Sequence, residues 1–160
     1  MPNYRGMVAT TDSAGVNWSY LGSERAFRAL KDMEERNLIV PLTGNFAGDK
    51  ALRAVGTWAR DHGAKVTTFY VSNVEQYLFQ QGDEAPRFYN NVATLPIDGT
   101  SLFVRSFAGN RFMGGDVAQK FHQQSAGRSM EVLSTIDETV KAFKDGKLTS
   151  WADIINISHQ

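Results

Sequence analysis

Leu38-Ile39-Val40-Pro41-Leu42, followed after a loop and an amphipathic stretch by Lys65-Val66-Thr67-Thr68-Phe69-Tyr70-Val71, is the part of the sequence on which the fold class turns. In the second run every residue from Val66 to Val71 is β-branched or aromatic, the composition that suits a pleated, half-buried surface. The first run reads as a buried strand. Pro41 complicates it, because proline donates no ladder hydrogen bond and belongs at strand ends, edges or bulges. Between them the loop Thr43-Gly44-Asn45-Phe46-Ala47-Gly48 leads to Asp49, which is placed to cap a helix with Leu52, Val55 and Ala59 on one face and Gly63 as its left-handed stop. Strand, helix and strand within about 35 residues make a βαβ unit with parallel strands and a right-handed crossover. The expected fold class is therefore α/β, a Rossmann-like, mostly parallel sheet with flanking helices.

Working outward, Ser23 caps a helix running to Arg36, in which Phe27, Leu30 and Met33 recur every three residues and Asn37 is the stop. Downstream, short helices are expected over Ser72 to Gln80 and Glu84 to Val92. A strand comes next over Ser101 to Phe107, with Leu102 and Val104 on one face and Phe103, Arg105 and Phe107 on the other. Residues 108–128 are rich in glycine and lack an apolar period, which reads as a long loop or mobile lid. Ser129 to Asp145 reads as a helix with Leu133, Ile136, Val140 and Phe143 on one face and Gly146 as the stop, and Ser150 to Asp153 as the capping box of a last short helix. The expectation is one α/β domain over 1–160, with a βαβ-containing core over 1–107, the loop over 108–128 and carboxyl-terminal helices over 129–160.

The composition narrows the chemistry. Seventeen Lys and Arg against seventeen Asp and Glu give zero formal charge over 160 residues, which argues against nucleic acid and anionic membranes as partners. The chain has no cysteine, so disulfides, thiolate nucleophiles and cysteine metal sites are excluded. The longest uncharged stretch, Asn37 to Gly48, is shorter than the ~18 residues a spanning helix needs. No apolar run comes after Arg5, so the amino terminus does not read as a signal peptide and the cytoplasm is the expected compartment.

Ligands of open α/β sheets bind beyond the carboxyl ends of the strands, which points to two loops. In the first, Gly44 and Gly48 precede a helix, yet Lys50 is not preceded by a glycine and Ala51 carries no hydroxyl, so the phosphate-loop pattern is not met; G-x-G-x-x-G is missing as well. In the second, Ser72-Asn73-Val74-Glu75-Gln76-Tyr77, Ser72 and Glu75 have the spacing of a capping box, while Asn73, Glu75 and Tyr77 are also candidate ligand contacts. The candidate ligand-binding set is Gly44, Asn45, Ser72, Asn73, Glu75 and Tyr77; no residue is singled out as catalytic. His62, His122 and His159 form no metal-ligand spacing, and no G-x-S-x-G elbow occurs. Arg105, Arg111, Lys120, Arg128 and His122 against Asp116 make a local basic excess between Gly99 and Met130, suited either to a carboxylate or phosphate or to plain solvation.

Three runs, Asn37 to Gly56, Phe69 to Leu78 and Asn91-Val92-Ala93-Thr94-Leu95-Pro96, resemble the carboxyl half of an uncharacterised bacterial family with a class I methyltransferase-like fold. The resemblance extends from about Tyr20 to Phe107 and more thinly to the end. It implies a Rossmann-like half sheet. In longer members a glycine-rich strand–turn–helix and an acidic residue at the next strand end would hold S-adenosylmethionine, and those features would lie ahead of Met1. The cofactor is thus implied only together with that amino-terminal half. Asn45 stands where members place an aspartate.

Three readings are open: the substrate-side half of a methyltransferase-like protein, a binding module for a small polar molecule at the candidate set, and an interaction protein whose open sheet edge is completed by another copy or another chain.

Overall fold

The run Val66 to Val71 does form a strand, though a short one. β1 spans Thr68–Tyr70 and pairs in parallel with β2, Leu102–Phe107, in the register Phe69↔Phe103. The computed structural model describes residues 3–107 and 130–158; the expected loop and its charged residues beyond Phe107, together with His159, lie outside them. The chain divides into two compact units, Met1–Leu42 and Thr43–Gln160.

The first unit contains α1, Tyr4–Ala9, and α2, Glu24–Glu35. Ser23 is extended and its hydroxyl accepts from the Ala26 N–H, as its sequence position foretells. At the other end Asn37 takes φ 53°, which lets its N–H reach the Glu34 carbonyl and the Leu38 N–H reach the Met33 carbonyl. This pair of hydrogen bonds around a left-handed residue is how a helix satisfies its last carbonyls. Asp12 Oδ1 accepts from the N–H groups of Ala14 and Val16, and Asp12 Oδ2 from Trp18 Nε1; the indole N–H is the main reason its carboxyl is held below the usual range.

Leu38 to Leu42 is not a strand. The five residues pair with nothing in a sheet, and Val40 and Leu42 are 63% and 68% exposed. Pro41 removes one ladder donor, and the helix stop at Asn37 sets the direction of the chain immediately before it. The βαβ expected over residues 38–71 is accordingly replaced by one that starts a strand later.

The second unit begins with the loop from Thr43 and α3, Ala51–Asp61. Lys50, not Asp49, is the N-cap residue of α3 and gives no side-chain bond; Asp49 instead lies 3.4 Å from Arg87. α3 stops at Gly63 as expected, with φ 61°. After β1 come α4, Val74–Leu78, and α5, Glu84–Val92, so two helices connect the parallel strands. β3, Met130–Thr135, then pairs antiparallel with β2 in the register Arg105↔Val132, giving a three-stranded sheet of order β1-β2-β3. α6, Ile136–Lys144, and α7, Trp151–Ile157, complete the unit.

β3 corrects the helix expected over Ser129 to Asp145. Val132 and Ser134 face the core in strand alternation, and Thr135 is extended (ψ 146°) with its hydroxyl accepting from the Glu138 N–H. A capped start at Thr135 confines the helix to the residues beyond it, so Leu133 belongs to the strand while Ile136, Val140 and Phe143 keep the helical face. Asp153 accepts from the N–H groups of Thr149 and Ser150, which forms the expected box and holds its carboxyl down.

One face of the sheet carries the core. Phe69 and Phe103 meet at 5.5 Å between centroids and Phe88 of α5 packs on both. Each fully buried aromatic contributes about 1.5–3 kcal/mol. The opposite face presents Thr68, Tyr70 and Glu131 to solvent and leaves Leu102, Val104 and Leu133 half-buried. The architecture is mixed α/β, with one parallel and one antiparallel pairing.

Candidate functional site

Beyond β1 the chain turns through Ser72, whose φ of 50° is rare for a residue with a Cβ and stores local strain. The turn lets the Ser72 carbonyl accept from the Ser106 N–H and launches α4 with Glu75 in its first turn. The expected Ser72–Glu75 capping box does not form: Asn73 is the N-cap residue, without a side-chain bond, and Glu75 points into the core.

There Glu75 is 0% exposed and meets Arg105, also 0% exposed, as a fork: Nε donates to Oε2 at 2.5 Å and Nη2 to Oε1 at 3.0 Å. The Tyr89 hydroxyl donates to Oε1 at 2.6 Å. Arg105 Nη1 donates to Ser134 Oγ at 2.6 Å, which lies 2.8 Å from Thr139 Oγ1, and the guanidinium sits 4.4 Å from the Phe103 ring centroid. Burial pushes the Tyr89 hydroxyl well above its ordinary pKa, and the Glu75 charge pushes it further. Tyr89 is thereby a neutral donor at every pH near 7. The geometry binds β1–α4, α5, β2 and β3–α6 through one charge-paired centre, and both carboxylate oxygens of Glu75 are occupied.

Arg105 belongs by sequence with a basic loop; the structure instead neutralises it inside the sheet. Alternation along β2 places it on the Phe103 face, but no local pattern joins it to a carboxylate thirty positions earlier. Tyr89, Ser134 and Thr139 escape a reading of the sequence for the same reason.

Around the first loop, Gly44 meets α3 so closely that a Cβ on it would stand 2.4 Å from Ala51 Cβ. Asn45 Oδ1 accepts from the Ala47 N–H at 2.9 Å, and Nδ2 donates to Glu84 at 3.3 Å. Buried Asn91 holds the loop from beneath: its Nδ2 donates to the carbonyls of Phe46 and Gly48, and its Oδ1 accepts from Arg53 Nε. Gly44, Asn45 and Glu75 thus have structural tasks, whereas Ser72 and Asn73 are half-buried and Tyr77 is exposed. Among the described residues no hydrogen bond joins the loop of Gly44 and Asn45 to the segment from Ser72 to Tyr77. Nor, among those residues, do three or more metal-ligating side chains cluster.

The outer edge of β1 is the other distinctive feature. Val71 N–H donates to the Val104 carbonyl and Leu102 N–H to the Thr67 carbonyl, so the backbone groups of Thr68 and Tyr70 point away from β2. They have no partner among the described residues, and Tyr70 is 60% exposed.

Among the described residues no helix is long and apolar enough to cross a membrane. No curated protein matches the chain. A family model described as a domain of unknown function, DUF7790, matches residues 1–151, and the chain belongs to that family.

Proposed function

We propose that the chain is a self-associating interaction module whose sheet is continued by β1 of a second copy. The observation that carries this reading is the outer edge of β1, where the backbone groups of Thr68 and Tyr70 have no partner among the described residues. An unpaired row of N–H and C=O groups recruits another strand unless charges, proline or a bulge guard it; Thr67 to Val71 contains no charge, proline or glycine, and the open stretch begins just after Val66, whose N–H donates to the Pro96 carbonyl. Antiparallel pairing about Phe69 sets Thr68 opposite Tyr70 of the other copy twice over. Each contact joins a β-branched to an aromatic side chain, worth roughly 0.2–1 kcal/mol. The buried Glu75–Arg105 centre behind the edge serves to hold β1 in place.

Sedimentation velocity at two concentrations tests the reading. The wild type is expected to show a concentration-dependent dimer and Tyr70→Lys, which puts a charge on the exposed edge, to shift toward monomer. A wild type that stays monomeric at every concentration refutes it.

A second reading rests on the parallel β1/β2 pair connected through α4 and α5, the connectivity of a Rossmann-like half sheet. On it the chain is the substrate-side part of a methyltransferase-like protein. The described residues do not by themselves fit S-adenosylmethionine: no glycine-rich turn comes after β1, and its nearest carboxylate, Glu75, is fully paired. Calorimetric titration with S-adenosylmethionine and S-adenosylhomocysteine should give no heat with this chain; measurable binding of either would bring this second reading to the front.

A further inference from the structure

The boundary between the two compact units falls at the peptide bond from Leu42 to Thr43. Around that bond, from Val40 to Asn45, the chain forms neither helix, strand nor turn, and every residue from Ile39 to Gly44 is exposed. Among the described residues no hydrogen bond engages a backbone group of Ile39 to Gly44. An endopeptidase cleft holds its substrate as an added strand, by main-chain groups, with alternate side chains in separate pockets. Helices and sheets must open before they fit such a cleft, whereas an exposed, unbonded segment between compact units fits as it stands.

The residues beside the boundary select the kind of endopeptidase. Leu42, 68% exposed, offers a large apolar side chain on the amino side of the bond. Along a strand, alternate residues aim their N–H and C=O groups to the same side, so a cleft that pairs with Leu42 and Val40 asks nothing of Pro41 between them. The missing N–H of Pro41 therefore costs the complex nothing, and its ring keeps Val40 out of the helical region. Two other exposed apolar residues lack this freedom. The Leu38 N–H is held by the Met33 carbonyl at the stop of α2. Trp18 is anchored through its indole N–H to Asp12, and the N–H that follows it donates to Asn17 Oδ1.

We infer that the Leu42–Thr43 bond is a site for an endopeptidase that requires a large apolar residue before the bond it cuts. Water is added across the peptide bond, which leaves a carboxylate on Leu42 and an amino group on Thr43; no other reactant enters. Among the described residues every buried apolar side chain lies in Thr43–Gln160, so the cut separates the units without dividing the core. The site shares no residue with the edge of β1 and stands or falls apart from association through it.

The test is digestion of the full-length protein with chymotrypsin under native conditions, with new amino termini identified by mass spectrometry. A terminus at Thr43 is expected to appear at least about tenfold faster than one at Ala59, because cutting after Trp58 waits for α3 to open. Leu42→Asp should abolish the Thr43 terminus, whereas Leu42→Phe, which keeps a large apolar side chain, should retain it. Both variants should keep the urea midpoint of the parent, since the side chain at this position is exposed. A Thr43 terminus that forms no faster than the one at Ala59, or that persists undiminished in Leu42→Asp, overturns the inference.

Discussion

Glu75 and Arg105 exclude water completely from a charge pair, an arrangement whose desolvation cost rivals its Coulomb gain. Removing one partner leaves the other charged and buried. Glu75→Gln is therefore expected to lower the unfolding free energy by about 3–5 kcal/mol, while Glu75→Leu combined with Arg105→Met, which buries no ion, should recover part of that loss. Urea denaturation of the singles and the double measures the coupling; additive single effects would contradict it. Tyr89 gives the same centre a pH signature. Its folded-state pKa is raised above the unfolded value of about 10, so its contribution is fully present below pH ~10 and is lost as pH rises toward the folded value. Alkaline unfolding should be steep above that pH in the wild type and shallower in Tyr89→Phe, with tyrosinate absorbance as the readout.

At the scale of elements the local chemistry does much of the deciding. Thr135 ends β3 and caps α6, so Thr135→Ala should cost about 1 kcal/mol, read as a lower urea midpoint at unchanged slope. The stops at Asn37, Gly63 and Gly146 were legible because a left-handed residue after a helix solves a problem within four residues of itself. Ser23 and the Ser150–Asp153 box were legible for the same reason. What escaped was non-local. Met130 to Thr135 has no helix-breaking residue, and only its pairing with β2, across an intervening segment of more than twenty residues, makes it a strand. Leu38 to Leu42 has strand composition but, with Pro41 in it, no ladder partner among the described residues. The candidate site divides along the same line: Ser72 and Glu75 stood out by spacing, yet the partner that fixes Glu75 lies on another strand.

For the molecule as a whole, the position of the core decides what can stand alone. Among the described residues every buried apolar side chain lies between Ala47 and Ile154, inside the unit Thr43–Gln160, and the charge-paired centre lies there too. A fragment of residues 43–160 is thus expected to unfold cooperatively, with a urea slope close to that of the full chain, because the slope tracks the surface exposed on unfolding. Its acid limb should also match. Lys65 holds the Asp98 carboxyl well below the usual range, with Thr100 adding two hydrogen bonds. A carboxylate whose folded pKa is depressed adds stability above its unfolded pKa of about 3.9 and loses it as pH falls through the folded value. Asp98→Asn should therefore be less stable than the parent at pH 7, and the two should converge as the pH drops below ~4, in the fragment as in the full chain. A fragment that unfolds without cooperativity would mean that Met1–Leu42 supplies packing the core needs; a difference between Asp98→Asn and its parent that persists undiminished into acid would mean that the Lys65–Asp98 pair is not what sets the acid limb.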